Sequence, residues 1–354
     1  MSRVLMKGNE VIGAAAIQAG CRFFFGYPIT PQSELPEYMA RHLPEVGGSF
    51  VQAESEVAAI NMVYGAASCG VRAMTSSSSP GIALKQEGIS YLAGSELPCV
   101  IVNIARGGPG LGGIQPSQAD YRQATRGGGN GDYRVPVLAP ASLQELAELT
   151  AEAFELADRY RNPVMVLGDG MLGQMMEAVD LSAITPGAET SKPWATTGTQ
   201  GQRAPNIVNS LLLDPAELEA HAIRLEAKYQ QIQADEWQAE LDQIEGATVV
   251  AVAYGTTARI VRQAQDELAA EGIKLGLLRP ITLWPFPDPA FEQLDPATQD
   301  LLVVEMSLGQ MLDDVRLANE GQRQIHFTGR TGGMVPSAQQ IADKVREIIA
   351  GREA

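Results

Sequence analysis

The sequence predicts an α/β protein built as two parallel-sheet units. Short apolar runs alternate with helical ones up to about residue 170, the rhythm breaks between about 172 and 246, and a second alternation starts at Ala247. Strands covered on both faces read as continuous apolar runs, which is the pattern of a mostly parallel, doubly wound sheet. Asn9 can cap a helix to about Ala19 that Gly20 closes, and residues 22–25 follow as a strand. Next come a strand over 49–53, a helix of mostly small residues over 55–69 and a strand over 71–75. A helix starts after Pro80 and runs to about Ala93, and residues 98–105 form a fully apolar strand. A strand over 135–138, a helix over 142–160 and a strand over 163–168 complete the first unit. Residues 185–206, rich in Pro, Gly, Thr and Ser, read as an extended connector. Residues 214–240 form a charged helix whose Leu225, Tyr229, Ile232 and Trp237 pack against a neighbour. The second unit has strands over 249–253, 275–278 and 301–305 and helices over 256–271 and 337–350. The expected division is a first domain over 1–180, a connector over 181–246 and a second domain over 247–354.

Composition narrows the function classes. A chain of 354 residues with 45% hydrophobic and 19% charged residues can bury two cores. A net charge of −16 leaves no basic stripe for nucleic acid. Cys21, Cys69 and Cys99 form no C-x-x-C pair, so neither an iron–sulfur cluster nor a structural zinc has a ligand set, and the thiols read as buried or inert in a reducing compartment. His42, His221 and His326 show no metal spacing. No run approaches a membrane span and the N-terminal residues lack an apolar signal core, so a cytoplasmic protein is expected.

Three positions stand out as chemistry. In Tyr27-Pro28-Ile29-Thr30-Pro31, Pro31 disfavours the α region for Thr30, so a helix with Thr30 as N-cap and Pro31 as its first residue is expected. A small carboxylate could sit at that helix start beside the Thr30 hydroxyl; an ordinary Thr-Pro helix start is the alternative. Glu56 opens the next helix ahead of Val57-Ala58-Ala59-Ile60, a partly desolvated setting that suits proton exchange; a surface glutamate favoured by the helix dipole is the alternative. Arg106 ends an apolar strand at the edge where open α/β sheets gather ligands, and its planar fork suits a carboxylate; a surface charge is the alternative. The glycine-rich segments 106–113 and 127–131 match neither G-x-G-x-x-G nor a P-loop and are expected to be mobile loops over the site.

Taken together, Gly26-Tyr27-Pro28-Ile29-Thr30-Pro31, Glu54-Ser55-Glu56 with Gly65-Ala66-Ala67, Ser79-Pro80-Gly81, Ile104-Ala105-Arg106, Asp169-Gly170-Met171-Leu172-Gly173-Gln174 and Leu278-Arg279-Pro280-Ile281-Thr282-Leu283-Trp284-Pro285-Phe286 are specific. Over nearly its whole length the chain resembles the α-type subunit of the 2-oxoacid:ferredoxin oxidoreductases. The stretch Gly112-Gly113-Ile114-Gln115-Pro116-Ser117-Gln118-Ala119-Asp120 looks most like the branched-chain, 3-methyl-2-oxobutanoate members. The resemblance implies a pyrimidine-type sheet of thiamine-diphosphate enzymes followed by a transketolase C-terminal-like domain, whose usual role is dimer packing. It implies that Glu56, ahead of Gly65-Ala66, bonds N1′ of the aminopyrimidine, with Tyr27 and Pro28 also at the cofactor; Glu54 is the competing candidate, read as an exposed or neighbouring carboxylate. Thr30 and Arg106 are implied to take the substrate carboxylate. Gly168-Asp169-Gly170 is similar to the magnesium-diphosphate motif of these enzymes, but no Asn follows at a suitable place, so it reads as the end of the first domain.

The implied reaction is 2-oxoacid plus CoA plus oxidised ferredoxin giving acyl-CoA, CO₂ and reduced ferredoxin. Thiamine diphosphate is expected at the interface with a β-type subunit, and Mg²⁺ and [4Fe–4S] clusters in partner subunits. Those partners are the β-type subunit, a γ-type subunit and a small ferredoxin-like subunit, with ferredoxin as the electron acceptor. Residues 112–119 contain no Lys or Arg, and Arg122 is the first cation after Asp120. A distal carboxylate would therefore lack a counter-charge, which favours 3-methyl-2-oxobutanoate over 2-oxoglutarate. Pyruvate or 2-oxoglutarate as substrate, and a catalytically silent assembly subunit, are the rival readings. A self-sufficient dinucleotide dehydrogenase is disfavoured, because no fingerprint opens a helix after a strand.

Overall fold

The computed structural model describes residues 3–184 and 191–353. Its first half runs through β1 (Val4–Lys7), α1 (Gly8–Gln18), β2 (Phe23–Gly26), α2 (Glu34–His42), β3 (Ser49–Gln52), α3 (Glu56–Ser68), β4 (Ala73–Ser77), α4 (Pro80–Gly94) and β5 (Cys99–Ala105). It continues with α5 (Tyr121–Arg126), β6 (Val137–Leu138), α6 (Leu143–Tyr160), β7 (Pro163–Asp169), α7 (Gly170–Gln174) and β8 (Met176–Val179). The second half holds α8 (Pro215–Asp235), β9 (Ala239–Asp242), β10 (Val249–Val252), α9 (Gly255–Ala269), β11 (Leu275–Pro280) and β12 (Thr282–Trp284). It ends with α10 (Pro289–Glu292), β13 (Asp300–Glu305), α11 (Leu312–Asn319), β14 (Gln324–Gly329) and α12 (Ala338–Glu353).

Two sheets result, a seven-stranded one in the order β12-β6-β7-β5-β4-β2-β3 and a five-stranded one in the order β14-β13-β10-β11-β9. β2 to β7 pair in parallel, and every residue of β5 and β7 is buried, which is why both read as apolar runs; the strand expected to be fully apolar over 98–105 carries the polar Asn103, and β7 ends in Asp169. The sheets exchange edge strands. β12 pairs antiparallel with β6 of the first sheet, and β9 pairs antiparallel with β11 of the second. β1 and β8 form a separate antiparallel ribbon.

The helices start where local chemistry favours it. Ser55 Oγ accepts the Ala58 N–H at 3.1 Å, and Ser142 Oγ accepts the Glu145 N–H at 3.2 Å, so each serine satisfies one of the orphan donors of its helix. Asn9 does not cap α1. It lies inside the helix, fully buried, with Nδ2 donating to the Pro31 carbonyl and to Glu34, and Lys7 takes the N-cap position. In α8, Leu225, Tyr229 and Ile232 are buried as expected, but Trp237 lies beyond the last helical residue. Residues 185–190 of the expected connector lie outside the described residues.

A buried ion cluster ties the two halves together. Arg279 of β11, whose side chain is only 6% exposed, donates to both Glu145 oxygens of α6 at 2.7 and 3.0 Å and to Glu240 of β9 at 2.7 Å. A bidentate pair with a second acceptor satisfies most of the guanidinium fork.

Candidate functional site

Ligands of an open parallel sheet collect where the strand order reverses, at the carboxyl ends of the strands. In the first sheet β2 is flanked by β3 and β4, so the reversal falls between β2 and β4. Tyr27, Pro28 and Thr30 follow β2, Ser77–Ser79 close β4, and Arg106 follows β5. Glu56 opens α3 just after β3. Residues far apart in sequence are thus gathered on one edge.

Glu56 is 8% exposed, whereas Glu54 is exposed, so burial separates the two carboxylates that sequence alone left as competitors. Among the described residues no hydrogen bond is made to the Glu56 carboxylate. It lies against the start of α4, where a Cβ on Gly81 would come 2.8 Å from Glu56 Oε1. Ser77 Oγ, which the same Cβ would strike, and the hydroxyl of the next residue, Ser78, are buried without partners among the described residues. Buried polar atoms left unpaired in this way mark a place built for a polar ligand group.

Beneath Glu56 lies a residue that the sequence reading passed over. Lys85 is fully buried, its Nζ donating to Thr75 Oγ1 at 2.7 Å and to the Ser76 carbonyl at 2.9 Å. Burial pushes its ammonium down to about 7, and the Glu56 charge opposes the shift. A lysine between Ile82 and Ile89 on the apolar stripe of a helix was the available signal.

Thr30 and Arg106 do meet, but not as expected. The Thr30–Pro31 bond is cis, α2 begins only at Glu34, and Ser33 holds the N-cap position. The Pro31 carbonyl is taken instead by Asn9 Nδ2 at 2.8 Å and Gln174 Nε2 at 3.0 Å, so Pro31 belongs to a turn and the helix-start anion site at Thr30 does not exist. Arg106 Nη1 donates to the Thr30 carbonyl at 2.8 Å and Nη2 to the Leu111 carbonyl at 3.2 Å, while Nε is buried without a partner. Its guanidinium is therefore oriented with donors to spare.

Around Arg106 a polar net fixes the edge. Asp120 accepts from Ser79 Oγ at 2.7 Å and Asn103 Nδ2 at 2.8 Å. Burial pushes the Asp120 carboxyl up, and those two hydrogen bonds and the Arg106 charge pull it back. Ser79 adopts φ 25°, ψ −83°, a sparsely populated conformation of the kind that gathers at functional sites. Its N–H is held by Asn103 Oδ1 at 3.1 Å. The glycine-rich loops are tied down: Gly107 N donates to Gln115 O, Gly113 N to Gly107 O, and Gly128 and Gly129 N to the Tyr133 hydroxyl. Behind Thr30 a cleft of about 690 Å³ opens, lined by Pro31, Ile114, Met171, Gln174 and Gly333.

Asp169 is the N-cap of α7, accepting from Met171 N and Leu172 N. Among the described residues no group of three His, Cys, Asp or Glu side chains could hold a metal ion. Cys21 and Cys99 are buried, and burial pushes both thiols up, that of Cys21 to about 12; Cys69 is exposed, so of the two expectations, buried or inert, burial does not apply to it. Among the described residues no helix is long and apolar enough to cross a membrane.

The chain is similar to known proteins over most of its length. Residues 14–245 match the family described as pyruvate flavodoxin/ferredoxin oxidoreductase, thiamine diphosphate-binding, and residues 247–341 match pyruvate:ferredoxin oxidoreductase core domain II. The chain is 49% identical over 350 residues to the ketoisovalerate oxidoreductase subunit VorB of Methanothermobacter thermautotrophicus, covering 98% of each chain. It is 36% identical to the 2-oxoglutarate synthase subunit KorA of the same organism, over 96% of this chain and 97% of that one. Among solved structures it is similar to a 2-oxoglutarate:ferredoxin oxidoreductase from Magnetococcus marinus with 2-oxoglutarate, coenzyme A and succinyl-CoA bound, at TM-score 0.85 and 30% identity. The match covers 98% of this chain but spans 65% of that one. A split-gene transketolase, at TM-score 0.59 and 15% identity, shares the fold.

Proposed function

Because the chain belongs to the 2-oxoacid:ferredoxin oxidoreductase family, as a subunit most like its branched-chain members, we propose that it forms the pyrimidine side and the substrate-carboxylate side of an active site that oxidises 3-methyl-2-oxobutanoate. The overall reaction joins the 2-oxoacid to CoA, with CO₂ released and ferredoxin reduced. The observation that carries the reading is the buried, partnerless Glu56 carboxylate at the same sheet edge as the Thr30–Arg106 pair.

Thiamine diphosphate, when bound, supplies the carbon nucleophile and the electron sink for decarboxylation. The residues present fit its aminopyrimidine: Glu56, with Tyr27 and Pro28 exposed beside the crevice, would hold it. With the cofactor bound, the Glu56 carboxylate would exchange a proton with the ring nitrogen, and the missing Cβ of Gly81 leaves the carboxylate its room. Arg106 binds the substrate carboxylate through its remaining N–H groups, oriented by the Thr30 and Leu111 carbonyls. Exposure of Tyr27, Pro28 and Glu54 around the crevice suits a β-type subunit that closes the site and brings the diphosphate, Mg²⁺ and an iron–sulfur cluster. A γ-type and a small ferredoxin-like subunit complete the assembly, which delivers electrons to ferredoxin in the cytoplasm.

Substrate choice follows from where the cations go. Arg122 pairs with Asp313, and Arg126 pairs with Asp314, so neither is left over for a distal carboxylate. The test is kcat/KM of the assembled complex for 3-methyl-2-oxobutanoate, pyruvate and 2-oxoglutarate. The branched acid should lead 2-oxoglutarate by a wide margin and its own homologues by only about 10–200-fold, the worth of a methylene or so in an apolar pocket. A lead for 2-oxoglutarate would overturn the substrate and leave the family intact.

A further inference from the structure

The second sheet has its own reversal point. β10 is flanked by β11 and β13, so the ligand crevice of that sheet falls between the carboxyl ends of β10 and β13, at Tyr254 and Met306. A side chain from the first domain fills it. Gln118, 3% exposed, donates from Nε2 to the Tyr254 carbonyl at 2.8 Å and accepts at Oε1 from Met306 N at 2.8 Å and Thr257 Oγ1 at 3.3 Å. Its backbone is held as well: Gln118 N donates to Met306 O at 3.0 Å, and the Tyr254 hydroxyl donates to Gln118 O at 3.3 Å. The space left beside it is about 10 Å³, room for one water at most. The amide therefore behaves as a tethered ligand, with donor and acceptor ends both satisfied.

The same segment forms the wall of the site described above. Two residues on, Asp120 holds Ser79 and Asn103, and the Ala119 carbonyl accepts from Gln310 Nε2 at 2.7 Å. Two residues back, Pro116 bridges to Arg106, and Gly107 N donates to Gln115 O at 3.0 Å. On the far side Glu305 fixes the turn that presents Gln310, accepting from Ser307 Oγ and from the N–H groups of Gln310, Met311 and Leu312. Hydrogen bonds thus link the second sheet to the backbone of segment 106–120, and Leu111 within that segment accepts from the Arg106 guanidinium.

We infer that Gln118 is a positioning residue: by occupying the ligand crevice of the second sheet it fixes segment 106–120 and thereby aims Arg106 at the 2-oxoacid carboxylate. The inference rests on the proposed function for the role of Arg106, and it makes the second domain part of substrate recognition rather than a packing body alone. Arg106 would hold the unreacting carboxylate alike in the ground and transition states, so its misplacement should raise KM more than it lowers kcat.

The experiment compares Gln118→Ala with the unmodified chain in the assembled complex, by hydrogen–deuterium exchange and by steady-state kinetics on 3-methyl-2-oxobutanoate. Exchange across 107–116 should rise about tenfold and KM should rise about tenfold or more, while kcat falls less than about threefold. Unchanged exchange across 107–116 overturns the lock. Raised exchange with KM unchanged, or kcat falling as much as KM rises, overturns the positioning role. If Gln118→Ala does not assemble, Thr257→Val, which removes one donor to Oε1 at similar volume, carries the same test with an expected change of about threefold. A complex that turns over none of the three 2-oxoacids would defeat the proposed function instead, and the exchange comparison would still decide on the lock.

Discussion

At the carboxyl edge of the first sheet the crevice between β2 and β4 is lined by Thr30 and by partnerless serine hydroxyls and leaves the Glu56 carboxylate unpaired. At the matching edge of the second sheet the crevice between β10 and β13 is filled by Gln118, and each polar atom of that side chain has a partner. The two sheets obey the same rule about where a ligand crevice forms, and the second fills its crevice with a side chain from the first half of the chain. On the proposed function, the edge that holds the Glu56 carboxylate and the unpaired Ser77 and Ser78 hydroxyls is the working edge, and the edge plugged by Gln118 is the structural one.

The largest expected effect tests that contrast directly. Glu56→Gln keeps the volume and removes the ionisable group, so turnover of the assembled complex should fall about 10²–10⁴-fold. Glu54→Gln, at an exposed position, should change it little. Equal small losses from both would remove Glu56 from the working edge.

Next is the seam between the sheets. Arg279→Ala leaves Glu145 partly buried without its bidentate partner. Breaking a buried pair typically costs about 3–5 kcal/mol, and the lower end is expected because Glu240 retains Arg262 and is partly solvated. Denaturant titration checks it; a loss below about 1 kcal/mol would show that the packing of the strands, not the ion cluster, holds the seam.

Gly81→Ala sharpens the comparison from the opposite direction. The residue is helical, where alanine is normally preferred by about 1 kcal/mol, but its Cβ would press on Glu56 Oε1 and Ser77 Oγ. Turnover should fall by up to about 10²-fold while the melting temperature stays close to that of the unmodified chain. A slow, stable variant would place the fault at the carboxylate; an unstable one would place it in the helix.

Much of this arrangement was legible from sequence, for identifiable reasons. β10 announces itself as an unbroken apolar run, β5 and β7 as runs interrupted only by Asn103 and by the terminal Asp169, and Ser55 and Ser142 cap helices by contacts three residues away. What failed depended on distant partners. The Thr30 helix start is undone by side chains 22 and 143 residues from Pro31, which take the carbonyl that a helix would have used. The short strands β9 and β12 carry too few residues to show a period, and their pairing across the two sheets is decided by tertiary contacts. Lys85 was visible as a charge on an apolar stripe, but its partners on β4 were not. Gln118 gave no sequence signal, because an amide acting as an internal ligand looks like any loop glutamine.

The smallest expected effect concerns Lys85, and it changes sign with pH. In the unfolded chain a lysine titrates near 10.5, and in the folded chain burial brings Lys85 to about 7. Between these values the unfolded state binds more protons, so the stability of the unmodified chain rises with pH across that window. Below about pH 7 the full penalty of burying the protonated amine is present; above about pH 10.5, where folded and unfolded chains both hold the neutral amine, it has gone. Lys85→Met removes the penalty but leaves Thr75 Oγ1 and the Ser76 carbonyl without their donor, a loss of about 1–3 kcal/mol. The variant should therefore be more stable than the unmodified chain by about 1–2 kcal/mol at pH 6 and less stable at pH 10, the two curves crossing between. Denaturant midpoints at half-unit steps of pH read the crossing. Parallel curves would mean that Lys85 keeps an ordinary amine in the fold, and the buried ground beneath Glu56 would then be wetter than its packing shows.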